Sequence, residues 1–146
     1  MRPPIFGARP DGNTAQQYMH RARMFRAAAM RLVDYSNAEP NWPKYALVTH
    51  AIELALKAFA LHCVEKGASP AEEPKQHDLV GWYLLAVKYG LPDDPDIEEN
   101  IGLLNQLHLT HYTRYPQNKV APNVDAIADS TVDHLIFTFT QVINPR

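Results

Sequence analysis

A single cysteine, Cys63, is all the thiol chemistry this sequence holds, so no disulfide can form within the chain. Long apolar runs are lacking too. The most hydrophobic stretch is broken by His50, Glu53 and Lys57, short of the roughly 20 apolar residues that a membrane-spanning helix needs. The opening residues, MRPPIFGARPDG, have no apolar core of the kind a signal peptide carries. These three absences predict a cytoplasmic location with no membrane partner. A large excess of charge is missing as well: the net charge is −2, which removes the whole-chain electrostatic argument for nucleic-acid binding. No internal repeat, low-complexity segment or cofactor-binding motif is present, and no cofactor is expected.

What is present is ordinary globular composition, 46% hydrophobic and 21% charged over 146 residues. That is enough for one self-sufficient core. One domain is expected over 1–146, with 1–13 as an N-terminal extension. The charges are unevenly placed. Residues 1–33 carry six arginines against the single acid Asp11, whereas 93–146 carry eight acids against Arg114, Lys119 and Arg146. Either the two ends pack with complementary charge or are solvated, or the basic end forms a nucleic-acid footprint; the first is the commoner arrangement.

All twelve prolines fall between or at the edges of helix-like segments. The spacing predicts a first helix from Thr14 to Tyr35, opened by a capping box of Thr14 and Gln17, with an apolar stripe of Tyr18, Met19, Ala22, Phe25, Ala29, Leu32 and Val33. A second helix should start near Pro43 and close at Gly67. Its apolar residues cover most of the circumference, which marks it as central and buried. A third is expected over His77–Tyr89, stopped by Gly90 and Pro92, and a fourth from Asp96, supported by Glu99, to about Arg114. A fifth follows Pro122 and Asn123 and carries Val124, Ile127, Ala128, Thr131, Leu135, Phe139 and Val142. No segment alternates as a strand would. The fold class is therefore all-α, an up-and-down bundle of about five helices, four forming a core plus one. Gly81 and Gly102, inside predicted helices, should mark close helix approach. Leu135, Ile136, Phe137, Phe139, Val142 and Ile143 lie on more than one side of the fifth helix, and this predicts a homodimer.

Three groups can carry chemistry. His50, Glu53 and Lys57 form a polar stripe about 60° wide on an otherwise apolar helix. It is either a register device built on an i, i+4 ion pair or part of a ligand site. His77 and Asp78 open the third helix, where one of them should cap it, and Asp78 should join Glu53 and Lys57 in one polar group. His108, His111, Arg114 and Tyr115 cluster at the end of the fourth helix, where arginine offers a bidentate fork to phosphate and tyrosine a stacking face. Two histidines at i, i+3 fall short of the three or four ligands that zinc requires unless His50 and Glu53 come across from the second helix, so no metal is expected. Cys63 has no basic activator nearby in sequence and reads as a small core residue.

The run HAIELALKAFALH (50–62), then HDL (77–79), then LNQLHLTHYTRYP (104–116) resembles the HEPN domain family over roughly residues 15–142. The resemblance implies a helical bundle of this size and an association with nucleotide or RNA binding. The matching positions are Glu53, Lys57, His77, Asp78, Arg114, Tyr115 and Pro116. Ribonuclease members carry a histidine four to six residues after the arginine, and Arg114 is followed instead by YPQNKVA. The resemblance thus implies a binding module for a nucleotide, an RNA or a nucleotidyltransferase-type partner. The alternatives are a metal-independent ribonuclease with His108, His111 and Arg114 in non-standard roles, and a structural, antitoxin-like partner protein.

Overall fold

The computed structural model describes residues 14–32, 41–75, 77–109 and 124–143. They form five helices: α1 (Ala15–Met30), α2 (Trp42–Glu65), α3 (Leu79–Lys88), α4 (Pro95–Leu109) and α5 (Val124–Ile143). The described residues include no β-sheet, and the all-α bundle expected from the periodicity is the fold.

Local chemistry sets the helix ends. Thr14 Oγ1 accepts from Gln17 N at 3.2 Å while Gln17 Oε1 accepts from Thr14 N at 2.7 Å, the reciprocal capping box. Asn41 caps α2, with Pro43 in its first turn. Gly67 and Gly90, at φ 109° and 117°, close α2 and α3 in the same way. Ala68 N donates to Cys63 O and Gly67 N to Val64 O; Leu91 N donates to Ala86 O and Gly90 N to Val87 O. Both are Schellman ends, which require a left-handed residue that glycine supplies without strain.

Two boundaries differ from expectation. The first helix stops at Met30 rather than Tyr35, tightened by Arg31 N to Ala28 O; Met30 is 65% exposed and Leu32 38%, so the stripe has run out of core to pack against. The fourth helix starts one residue before Asp96. Asp94 Oδ1 accepts from Asp96 N and Ile97 N, and Pro95 takes the first position, where its missing N–H costs nothing.

Helix α2 touches all four other helices, and Val48, Ala51, Ile52, Ala55, Leu56, Ala58 and Ala60 are buried. By length and composition alone it would pass as a membrane span. Here its apolar circumference is covered by its neighbours. Helix directions follow from the cross-contacts. Arg23 reaches Thr140 and Arg26 reaches Asp133, so α1 and α5 are antiparallel; Lys44 pairs with Asp129 and Phe59 stacks on Phe139 at 4.8 Å, so α2 and α5 run together. Leu79 meets Asn105 and Tyr83 meets Asp93, making α3 and α4 antiparallel. Direction alternates from α1 to α2, α3 to α4 and α4 to α5. Between α2 and α3 it does not: Glu53 meets His77 and Cys63 meets Tyr89, so the segment 66–78 carries the chain back to the start of a parallel α3. Its length, with Gly67, Pro70 and Pro74 along it, makes that return feasible.

The basic α1 and acidic α5 pack against each other. Arg26 Nε lies 2.6 Å from Asp133 Oδ1 and Arg23 Nη2 2.7 Å from Thr140 Oγ1. The Asp133 hydrogen bond holds the Arg26 guanidinium above its ordinary value. These two arginines are therefore engaged within the bundle.

Candidate functional site

The stripe on α2 meets the start of α3. Glu53 is 1% exposed, a burial that an ionised carboxylate tolerates only with partners. It has them: Lys57 Nζ lies 3.1 Å from Oε2, His77 Nδ1 lies 3.1 Å from Oε1, and His77 N donates more weakly to Oε2 at 3.4 Å. Burial alone would raise the Glu53 carboxyl, but the Lys57 charge together with hydrogen bonds from His77 and Lys57 leaves it below its usual range. The carboxylate is thus an acceptor only, so His77 Nδ1 is the donor in this contact.

His77 is the one described non-glycine residue with positive φ, 67°. The left-handed region costs an L-residue about 1–2 kcal/mol, and the double grip of Glu53 on its ring and main chain holds it there. Its side chain is 46% exposed, against 2% for Glu53 and 21% for Lys57. Lys57 Nζ also lies 5.3 Å from the centre of the buried Trp82 ring, a cation–π contact. His50 completes the stripe. It stands edge-on to Phe25 at 4.4 Å, and burial lowers its pKa, partly opposed by the nearby Glu53 charge; it is neutral near pH 7.

Asp78 does not bond to this group. Its Oδ1 accepts from Gly81 N at 3.0 Å, so it caps α3, while the neighbouring His77 makes the link to Glu53. A Cβ on Gly81 would lie 2.6 Å from Asp78 Oδ2 and 3.1 Å from Pro74 Cβ. The close approach at Gly81 is thus to its own cap and loop rather than to another helix. At Gly102 a Cβ would meet nothing within 4 Å, so that glycine marks no close approach.

Asn105 is a site residue the sequence pattern passes over. It is 9% exposed, and its Oδ1 accepts from Leu79 N at 2.6 Å and Val80 N at 3.4 Å. With Asp78 serving Gly81, the first amide donors of α3 are satisfied, as a helix start in a packed interior demands. The readable signal was an amide side chain four residues after Ile101, on the line of the apolar face.

Asn105 is level with the start of α3, and the described part of α4 runs on from there to Leu109. The side chain of His108, and His111, Arg114 and Tyr115 altogether, lie outside the described residues. Among the described residues no three histidine, cysteine, aspartate or glutamate side chains converge as a metal site. Cys63 is only half-buried, and burial pushes its thiol up; it packs against the core and also lines a cavity. No family model, curated protein or solved structure matches this chain.

Proposed function

We propose that the chain is a HEPN-like binding module for a phosphate-bearing ligand, a nucleotide or an RNA, held at the end of the bundle where α3 begins and α4 finishes. The observation that carries this reading is His77: a half-exposed imidazole, kept in a strained backbone conformation by a buried ionised carboxylate. Strain retained around an oriented polar group is typical of sites that bind. Lys57 supplies positive charge beside it. Arg114 is five residues past Leu109, a reach of at most about 18 Å, and contributes the bidentate fork, with His108 and His111 as further donors and Tyr115 as the stacking face.

Calorimetry with mononucleotides and short RNAs tests the reading. Binding to the wild type and about tenfold weaker binding to Arg114→Lys, which keeps the charge and loses the fork, are expected. Absence of binding, or equal binding by the variant, would overturn it.

The pairing of Lys57 with both Glu53 and Trp82 favours a second reading. In it the cluster only fixes α2 against α3, and the chain is the structural, antitoxin-like partner of a nucleotidyltransferase. Co-purification with such an enzyme in the absence of nucleotide binding would select that alternative. Cleavage of an RNA pool without added metal would select the ribonuclease instead.

A further inference from the structure

At the opposite end of the bundle the C-terminal ends of α2, α3 and α5 surround a cavity of about 470 Å³, within the range of small-molecule sites. Its floor is apolar, formed by the buried Phe59 and Leu91, and Tyr89 makes a wall. The Tyr89 hydroxyl is directed away to Ser69 O at 2.9 Å. Exposed Lys66 and Val142 form the rim, with His62 beside them. Both α2 and α3 finish here in Schellman ends.

We propose that this cavity binds a small amphipathic organic anion, its apolar body against Phe59 and Leu91 and its carboxylate or phosphate group at Lys66 and His62. Charge selects this class. Among the described residues no aspartate or glutamate lines the cavity, and neither Lys66 Nζ nor the His62 ring has a hydrogen-bond or ion-pair partner there. A lysine at a helix C-terminus commonly serves to satisfy the last carbonyls. Here the carbonyls of His62, Cys63 and Val64 already accept from the main-chain N–H groups of Lys66, Gly67 and Ala68, so that role is filled. A cationic rim over an apolar floor is complementary to an anion with a hydrocarbon or aromatic body, and less so to a neutral or cationic one.

Octanoate, octyl phosphate and octanol, titrated into the full chain and followed by calorimetry and by protection of Cys63 from a maleimide, test the assignment. The two anions should bind and slow Cys63 labelling. Octanol should bind about tenfold more weakly, and Lys66→Glu should lower anion affinity by about the same factor, as loss of a charge-assisted contact does. Val142→Trp, at a rim position 41% exposed, should abolish binding by filling the mouth while leaving the melting temperature near that of the wild type. Failure of both anions to bind, or equal affinity for octanol, or an unchanged affinity in Lys66→Glu, would overturn the proposal.

Discussion

Glu53 on α2 holds His77 at the start of α3 by two atoms at once, Oε1 to the ring Nδ1 at 3.1 Å and Oε2 to the main-chain N at 3.4 Å. The same carboxylate carries Lys57, so removing different members of the group should have unequal effects. Lys57→Ala leaves a buried anion short of its cation, and about 3 kcal/mol of stability should be lost. Glu53→Gln removes the charge but keeps an acceptor, and the released lysine, already 21% exposed, can turn to water; about 1–2 kcal/mol is expected. Urea melts of the two variants give the comparison, and a smaller loss for Lys57→Ala would show that its charge is not what keeps Glu53 ionised.

Acid should destabilise the fold in two stages. His50 is held below its ordinary 6.5, first by burial, so the unfolded chain binds its proton more readily and stability falls as pH drops below about that value. Glu53 is held below its ordinary 4.5. Its contribution is fully present above that pH and is lost as pH falls through the lower folded value. Melting temperature followed from pH 7.5 to 3 should therefore decline throughout the acid range. His50→Leu should flatten the upper stage and Glu53→Gln the lower, and a Glu53→Gln profile parallel to the wild type below pH 4.5 would contradict the assignment.

Asn105→Ala should cost about 1–2 kcal/mol, since it strips an acceptor from two amides at the packed start of α3. Hydrogen exchange locates the effect. Leu79 and Val80 should lose protection first, while amides in the middle of α2 follow only the global change. Asn105→Asp keeps the acceptor and should restore that protection.

The helices were legible because their periods and stops are local chemistry: Thr14 with Gln17, Gly67 and Gly90 act within a few residues. The all-round apolar face of α2 announced its central place, and its only buried charge announced that partners had to exist. Which partners was another matter. Spacing showed that Lys57 could reach Glu53, but the arrival of His77 depends on the chain returning over 66–78 so that α3 runs parallel to α2, and no local pattern encodes that direction. Asp78 was readable as a cap and, for the same reason, unavailable to Glu53. Asn105 was hidden because an amide on a helix face has a meaning only when the helix it serves is known. The acidic α5 facing the basic α1 was visible as an imbalance along the chain, though not as the particular contact of Arg26 with Asp133.

The two helical glycines make the sharpest local contrast. Replacing glycine by alanine in a helix interior gains about 1 kcal/mol when the methyl group has room. At Gly102 nothing lies within 4 Å of the new Cβ, so Gly102→Ala should raise stability by about that amount. At Gly81 the Cβ would press on Asp78 Oδ2 at 2.6 Å and on Pro74, and relieving the clash means moving the carboxylate whose Oδ1 accepts from Gly81 N at 3.0 Å. The cap is lost as the propensity is gained. A lost cap costs about 0.5–2 kcal/mol, and displacement of the His77–Asp78 turn adds to it, so Gly81→Ala should be destabilising despite the better helix former. Denaturation midpoints of the two variants should move in opposite directions. If Gly81→Ala proved as stabilising as Gly102→Ala, the Asp78 cap would have to be soft enough to step aside, and the turn that presents His77 would not be the fixed element on which the proposed binding site rests.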